Sequence, residues 1–436
     1  MRYSSTSSLA EESATGCGDH EAALRDLQRA LPHRALDLAR LRELADDGAP
    51  VVCVIGKYNH GKSRLLNELV RRDAFAVADR RETVELAECH HAGVCWLDAP
   101  GLDADVGQED DRHARVAVWL KADIRLFVHA ARQGEFDAAE LALLHQLRAD
   151  EIRTLRQTLI VISQADQLAD DGDLGQVVGA IAGQVPDAAL YVVSATRHRQ
   201  GIETAKTLLI QRSGMPQLEG AIADALGRVP AARSHEVALL LREIRDELEG
   251  LRSGRAQALE ALRQEEENQR RGFDQGLEGV LGKVAADMAA LVGAGGPDLA
   301  MVPDTARDRF AVTAAKLERA RIQVAYSRAC IQIDGFLVGQ GVARLPRDQE
   351  TATGSLNTVM VAVMGVSVKF RADLHRMFCE ARGRARLHAA FAHYFELSKR
   401  RTALRARIAE ASSALEAAAR ALAALQVLEP VLEPGP

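Results

Sequence analysis

The feature that most constrains this chain is an apolar run followed at once by a glycine-bounded loop and a helical pattern. Residues 51–69 read VVCVIGKYNHGKSRLLNEL. The first five predict a buried strand, the octet Gly56–Ser63 has the form G-x-x-x-x-G-K-S, and leucines follow at helical spacing. In that order, the N–H groups of the loop and of the helix N-terminus can surround a chain of phosphates. The sequence therefore predicts a phosphate-binding loop between a strand and a helix.

The residue types in this loop predict individual roles. Lys62 can reach the β- and γ-phosphates of a nucleotide, and the hydroxyl of Ser63 is placed to ligate Mg²⁺. The octet and the residue after it are candidate nucleotide ligands: Gly56, Lys57, Tyr58, Asn59, His60, Gly61, Lys62, Ser63 and Arg64. Lys57 and His60 are unusual neighbours in such a loop, and the sequence assigns no role to their side chains.

Four more apolar segments, separated by helical ones, predict strands. They cover residues 93–97, 124–129, 158–162 and 189–193. Continuous apolar strands joined through helices are typical of a mainly parallel sheet with helices on both faces, which carries ligand residues at the carboxyl ends of its strands. We therefore expect an α/β domain over residues 48–228. A flexible N-terminus (1–18) and a helical segment (19–47), packed on this domain or on a stalk, would precede it.

The second half of the chain, residues 229–436, predicts an all-α bundle or stalk. Apolar residues recur at alternating steps of four and three over 237–262, and the same rhythm returns over 404–425. Two such stripes either cover each other in an antiparallel pair or pack on different helices of a bundle. The spacing alone leaves both arrangements open.

Two segments within this half could form a tip that binds a membrane or a partner, at about residues 285–368. They are 291–303, rich in glycine and proline, and the uncharged stretch 351–368. The latter precedes residues 369–407, which hold eleven lysines and arginines against three acidic residues. An uncharged stretch beside a basic one can dip into an anionic membrane. The alternative is a buried core segment followed by a solvated helix face.

Bulk composition excludes some partners and compartments. The net charge of −6 argues against a general nucleic-acid binder, so no DNA partner is expected. Six cysteines without a C-x-x-C pair indicate a reducing compartment, and His90-His91 between Cys89 and Cys95 has poor spacing for a metal site. No secretory signal or spanning run is evident. We expect a cytoplasmic protein, or one bound peripherally to the cytoplasmic face of a membrane.

Three further motifs follow the predicted strands in order. They are Asp98–Gly101 (DAPG), Ser163–Asp166 (SQAD) and Ser194–Ala195. Together with the octet they resemble the motifs of P-loop GTPases of the translation-factor class, in the D-x-P-G form of dynamin-like and several bacterial GTPases. The resemblance covers about residues 50–228, and it implies GTP or GDP as ligand, Mg²⁺ as cofactor and GTP hydrolysis.

The resemblance also assigns roles around the phosphates. Asp98 would hold Mg²⁺ through water, and the N–H of Gly101 would meet the γ-phosphate. Thr83 is the candidate for the switch threonine that completes the Mg²⁺ shell when a triphosphate is bound. With Lys62, Ser63 and Asn59, these residues form the catalytic set implied by the resemblance. Leu102 stands where small signalling GTPases have a water-positioning glutamine, so another group must orient the water.

At the base, the resemblance makes Asp166 the acceptor for guanine N1–H and the exocyclic amine. Ser163 and Gln164 replace the usual Asn or Thr and Lys of this motif, which leaves the strength of guanine selectivity open. Ser194 and Ala195 would place a backbone N–H at guanine O6. Asn59 matches the asparagine of potassium-stimulated GTPases, which implies a possible K⁺ site; alternatively, it merely tolerates a tight loop conformation.

The whole arrangement is similar to bacterial dynamin-like GTPases, with a helix before the GTPase domain and a large helical region after it. That resemblance implies dimerisation through the GTPase domains and motion of the helical region at a membrane, with Asn59 and the segment around Thr83 at the dimer interface. The alternative is a regulatory switch that does not act at a membrane. Its helical half would bind a protein, or ribosomal RNA through residues 369–407.

Overall fold

The computed structural model describes residues 20–46, 48–76, 87–99 and 116–432. The chain divides into two compact units, Met1–Gly250 with Ala417–Pro436, and Leu251–Glu416. The predicted flexible N-terminus lies outside the described residues, and so do Thr83 and Gly101. The domain boundaries set out above remain predictions.

A six-stranded sheet forms the centre of the first unit. In chain order its strands are β1 (Val51–Ile55), β2 (Ala87–His91), β3 (Val94–Asp98), β4 (Ile124–Ala130), β5 (Gln157–Ser163) and β6 (Leu190–Val192). Their order in space is β2-β3-β1-β4-β5-β6, and every neighbouring pair except β2–β3 is parallel. The carboxyl ends of the five parallel strands therefore lie at one edge of the sheet, where an α/β fold places its ligands.

Helices cover both faces of this sheet. In chain order they are α1 (20–30), α2 (Ala35–Ala45), α3 (Lys62–Val70), α4 (Ala138–Thr154), α5 (Asp171–Gln184), α6 (Ala195–Glu203), α7 (Thr207–Arg212) and the start of α8 (Met215–Val292). Val52 and Val54 pack with α3 and α8, while Cys53 and Ile55 pack with α4 and α5. Alternate residues of β1 are thus buried on opposite faces, which explains the continuous apolar run. The predicted α/β fold is confirmed.

One strand, β2, was not predicted. Its sequence, AECHH, is polar and mostly exposed, so no apolar run marks it. The strand exists because a two-residue turn reverses the chain onto β3, with positive φ at Ala92 (51°) and Gly93 (75°). Two successive positive φ angles are what a tight hairpin between twisted strands requires.

Buried charges join α2 to the sheet and to α8 within the first unit. Arg40 is only 4% exposed, and it pairs with Asp123 at 3.1 Å and with Glu236 at 3.0 Å. Arg233 pairs with the same aspartate at 2.6 Å. Because buried charges are tolerated only when they are paired, each member of this network depends on the others.

The second unit is mainly helical. Besides parts of α8 and α13 (Lys399–Leu432), it contains α9 (Ala314–Gly339), α10 (Val359–Met364), α11 (Arg371–Leu374) and α12 (Ala381–Glu396). Its apolar core includes Phe273, Leu277, Ile322, Tyr326, Ile333, Phe378, Phe391 and Phe395. The fold is therefore an α/β GTPase-type domain followed by a long helical region, as predicted.

The two segments proposed for a tip differ in exposure. In the stretch 351–368, Val359, Met360 and Met364 are buried in the core of the second unit, while Val366 is exposed. In the segment 291–303, Met301 and Val302 are exposed. Among the described residues, no helix has both the length and the apolar character needed to cross a membrane.

The helices that carry the two heptad stripes contact each other. In the first unit, Arg245 of α8 pairs with Glu429 of α13. In the second, Arg255 donates to the carbonyl of Ala414 at 2.7 Å, and Arg401 pairs with Glu266 at 3.2 Å. Along the second unit, later residues of α8 contact earlier residues of α13, so the two helices run antiparallel there.

Candidate nucleotide site

The loop between β1 and α3 has the backbone of a phosphate cradle. Gly56 has φ 148°, and a Cβ there would lie 2.1 Å from the carbonyl oxygen of Val128. Gly61 adopts the left-handed conformation, φ 78°, at the N-cap of α3. Only glycine tolerates such φ values without strain, and only glycine permits the approach to β4. Both glycines of the octet are thus required by the backbone.

Lys62 lies across this loop. Its Nζ donates to the carbonyls of Gly56 and Lys57, at 2.9 Å each, and the residue is 9% exposed. The ammonium therefore sits within the turn, where it can meet phosphate oxygens.

Ser63 and Asp98 meet at the edge of the sheet, although 35 positions separate them. The Ser63 hydroxyl donates to Asp98 Oδ2 at 2.6 Å. Asp98 Oδ1 is buried and has no hydrogen-bond partner among the described residues. Burial raises the pKa of Asp98, an effect that the Ser63 hydrogen bond and the nearby Lys62 partly offset. A hydroxyl and a buried carboxylate, one of whose oxygens has no partner among the described residues, fit the oxygen ligands that Mg²⁺ prefers, directly or through water.

The predicted base-binding motifs come together at the ends of β5 and β6. The Ser194 hydroxyl donates to Asp166 Oδ1 at 2.6 Å and accepts from the N–H of Arg197 at 3.0 Å. This chain of hydrogen bonds fixes the Asp166 carboxylate at the N-terminus of α6. The half-buried Asp166 is therefore oriented before any ligand binds.

Ser163 and Gln164, at the carboxyl end of β5, contact backbone carbonyls of the phosphate loop. The Ser163 hydroxyl donates to the carbonyl of His60 at 2.5 Å, and Gln164 Nε2 donates to the carbonyl of Asn59 at 2.7 Å. The two residues that depart from the usual motif thus still connect the base end to the phosphate end.

Asn59 and Arg64 lie at the outer side of the loop. Asn59 is exposed and has φ 59°, so a tight left-handed turn is present at this position. Arg64 is exposed, and its guanidinium lies 3.5 Å from the hydroxyl of Thr196. The Asn59 geometry is compatible both with a K⁺ ligand and with a residue that only tolerates the turn.

Residues of the first turn of α4 complete the loop's surroundings, and the sequence reasoning missed them. Lys57 pairs with Asp137, the N-cap of α4. Asp137 and Glu140 form a reciprocal capping box, whose D-x-x-E pattern was a readable signal for the start of this helix. The two loop residues without an assigned role, Lys57 and His60, therefore both face α4.

His60 belongs to a buried cluster with His129 of β4 and Glu140 of α4. Their exposures are 3%, 1% and 5%, and their ligand-type atoms all lie within 4.8 Å of one another. Burial lowers the pKa of His60 to about 4, so this imidazole is neutral near neutral pH. A second group, Glu88, His90 and Cys95, satisfies the same distance limit but has two exposed members.

Comparison with known proteins shows which family the chain belongs to. A family model described as "50S ribosome-binding GTPase" matches residues 51–164. Over 400 residues the chain is 48% identical to the uncharacterized protein ACIAD1443 of Acinetobacter baylyi, and the match covers 92% of this chain and 96% of that one. The chain belongs to the family of that protein. Within it, residues 51–164 are a P-loop GTPase domain, and GTP binding and hydrolysis are properties of that domain family.

Other relatives and solved structures cover different shares of the chain. GTPase Der of Sodalis glossinidius is 28% identical over 45% of this chain and 39% of its own length. An Aquifex aeolicus Era structure, bound to GDP.AlF4-, aligns with 21% identity and TM-score 0.28 over 36% of this chain and 55% of its own. A bacterial dynamin pair aligns with 13% identity and TM-score 0.35 over 92% and 76%. Structural similarities with such low TM-scores give no information about function.

Proposed function

We propose that this protein binds GTP with Mg²⁺ and hydrolyses it to GDP and phosphate. The observation that carries the proposal is the contact of Ser63 with Asp98 beside Lys62, together with the buried Asp98 oxygen that has no partner in the described part of the chain. When bound, Mg²⁺ would draw charge from the β- and γ-phosphates. The chain supplies the cradle of N–H groups, the Lys62 ammonium and the two Mg²⁺-facing side chains. Asp166 would orient the guanine base.

Steady-state GTP turnover tests this proposal. Purified protein should release phosphate from GTP in the presence of Mg²⁺, and Lys62→Ala should abolish the release. The nucleotide-free variant should keep its melting temperature within a few degrees, since the Lys62 ammonium donates to carbonyls of its own loop. Turnover that survives in Lys62→Ala would show that a contaminant or another site performs the reaction.

We further propose that the protein is a dynamin-like GTPase, which dimerises through its GTPase domains and acts at the cytoplasmic face of a membrane. An exposed apolar stripe on α9 supports the membrane part. Four residues at intervals of seven, Leu317, Val324, Ile331 and Val338, are between 49% and 71% exposed. Several large exposed apolar residues aligned on one helix face indicate a binding surface.

The charge around this α9 stripe favours an anionic membrane. The exposed positions of α9 include Arg321 and Arg328 and no acidic residue, and Arg321 lies 3.7 Å from the buried Glu318. The segment before the helix adds Phe310, 94% exposed, with the Arg309 guanidinium 5.7 Å from its ring. Apolar side chains flanked by arginines suit the interface of an anionic bilayer, where each cation contributes about 1 kcal/mol.

Vesicle sedimentation tests the membrane part. The protein with GTP analogue should sediment with vesicles that contain phosphatidylglycerol and remain in the supernatant with phosphatidylcholine alone. Replacing Val324 and Ile331 by glutamate should weaken binding at least about 100-fold, since burying each such side chain contributes about 1.5–3 kcal/mol. The control Ile152→Glu, at a still more exposed position on α4 (82%), should bind like wild type.

GTP turnover across protein concentrations, in KCl and in NaCl, tests the dimerisation part. Specific activity that rises with concentration and requires K⁺ would support dimer-activated catalysis with Asn59 as a K⁺ ligand. Slow turnover that is indifferent to both would favour the regulatory switch.

The alternative function, a switch with a protein or ribosomal partner, has weaker support in the basic segment 369–407. Several of its arginines are engaged within the second unit. Arg371 pairs with Glu318 at 2.5 Å, and Arg401 pairs with Glu266. Arginines that already hold carboxylates contribute less to the electrostatic attraction of RNA phosphates.

A further inference from the structure

Beneath the phosphate loop, two imidazoles and one carboxylate converge in a site that the GTPase reaction does not use. His60 comes from the loop itself, His129 from the end of β4 and Glu140 from the first turn of α4. Glu140 Oε1 lies 2.8 Å from His129 Nδ1 and 3.7 Å from His60 Nδ1. The carboxylate oxygen is therefore the point at which all three side chains meet.

The hydrogen bonds of His129 require a proton or a metal ion at this point. Its Nε2 lies 3.0 Å from the carbonyl of Gly134, which can only accept, so the N–H of a neutral ring belongs there. Nδ1 then presents a lone pair to Glu140 Oε1 at 2.8 Å. Two acceptors at that distance repel each other unless a proton or a metal ion lies between them. Burial strengthens this requirement, because a buried carboxylate without a compensating charge is energetically costly.

The surroundings hold these groups in the way that metal ligands are held. His129 is oriented by the Gly134 carbonyl and Glu140 by the N–H of Asp137, which donates to Oε2 at 3.2 Å. Ligating histidines commonly direct their second nitrogen to a backbone carbonyl, and ligating carboxylates are themselves hydrogen-bonded.

The spacing fits a tetrahedral zinc site. With bonds of about 2.0–2.1 Å, neighbouring ligand atoms of a tetrahedral Zn²⁺ lie about 3.3 Å apart. The two separations from the Glu140 oxygen, 2.8 and 3.7 Å, lie on either side of this value, and all three ligand atoms lie within 4.8 Å of one another. To coordinate, His60 Nδ1 would exchange its 3.2 Å contact with the carbonyl of Val128 for the ion. Two imidazoles and a carboxylate without a thiolate suit Zn²⁺ and similar divalent ions.

We propose that His60, His129 and Glu140 form a binding site for Zn²⁺ or a similar divalent transition metal, which ties the phosphate loop to α4. The ion would replace the proton between His129 and Glu140 and leave one coordination position for water. Because His60 precedes Gly61 in the loop, an occupied site would fix the loop backbone from below.

Metal binding to the nucleotide-free, metal-stripped full-length protein tests the site. Equilibrium dialysis against ZnCl₂ should yield one tightly bound Zn²⁺ per chain, and X-ray absorption should show nitrogen and oxygen neighbours with no sulfur. Glu140→Gln and His129→Gln should each weaken binding by at least about 100-fold, more than the loss of an outer-shell contact costs. Omitting nucleotide keeps the ion away from a phosphate-completed Mg²⁺ site.

His90→Ala is the matched control, because it removes a ligand from the second group, Glu88, His90 and Cys95, two members of which are exposed. This variant should keep the tight Zn²⁺. The proposal would be overturned if the wild type bound no tight Zn²⁺, if Glu140→Gln retained the tight Zn²⁺, or if His90→Ala lost it. Thermal melts and GDP binding verify that the variants fold. If His129→Gln does not fold, His60→Ala is measured instead, because it changes only a side chain of the loop.

Discussion

The approach of the phosphate loop to β4 makes a sharp prediction at Gly56. In Gly56→Ala the new Cβ would lie 2.1 Å from the Val128 carbonyl oxygen, whereas ordinary contacts begin at 3.4 Å. The loop and β4 must therefore separate by about 1.3 Å, at an overpacking cost of about 1–3 kcal/mol. The positive φ adds about 1–2 kcal/mol. We expect the variant to lose about 2–5 kcal/mol of unfolding free energy.

The displacement also affects the nucleotide site, because the N–H groups of the loop move with it. A misplacement of about 1 Å can cost about 100-fold in rate, so GTP turnover should fall by about that factor. Urea unfolding measures the stability, and phosphate release measures the turnover.

Gly93→Ala separates the clash from the backbone strain. Gly93 also has positive φ, 75°, but a Cβ there would meet nothing within 4 Å. This variant should lose only about 1–2 kcal/mol and keep wild-type turnover. If both variants lost the same stability, or if Gly56→Ala kept full turnover, the reasoning from the close approach would be refuted.

Three further predictions concern other sites. Asp166→Asn should weaken GTP affinity at least about 100-fold and favour xanthosine triphosphate, since two hydrogen bonds to a charged group contribute about 3 kcal/mol or more; unchanged base preference in competition binding would refute the guanine assignment. Asp98→Asn should stabilise the nucleotide-free protein near neutral pH by about 0.5–2 kcal/mol while weakening Mg²⁺-dependent binding. Burial raises the pKa of Asp98 in the folded protein above that in the unfolded chain. The stabilisation from the protonated carboxyl is therefore fully present below the unfolded pKa and is lost as pH rises through the folded pKa. Melting curves of both proteins should therefore converge in acid, and a constant difference at all pH values would contradict this. Arg40→Ala should cost about 3 kcal/mol in urea unfolding, because it leaves two buried carboxylates with one partner fewer, whereas Arg29→Ala, at an 80% exposed side chain, should cost little.

Much of the α/β fold and of the nucleotide site could be predicted because its signals are local. The strand, loop and helix around Gly56–Ser63 are contiguous. The meeting of Ser63 with Asp98 follows from parallel strands that end at one edge, which the alternation of strands and helices already indicates. The polar strand β2 was missed because its pairing with β3, not its own pattern, creates it.

The cluster beneath the loop was beyond sequence reasoning. His60 and Glu140 lie 80 positions apart, and only the turn between β4 and α4 brings the helix under the loop. The exposed stripe on α9 was equally hidden, since intervals of seven show a helical face but not whether that face is covered. Such residues depend on tertiary packing, which no periodicity encodes.

The position of Lys62 has a consequence for the kinetics of nucleotide entry. By donating to two carbonyls of its own loop, the lysine keeps the turn in place without a ligand. A nucleotide then has only to displace those carbonyls from the Lys62 ammonium, so ordering of this loop should not delay capture. The observed association rate should increase linearly with nucleotide concentration, without the plateau that a loop assembling on demand would impose.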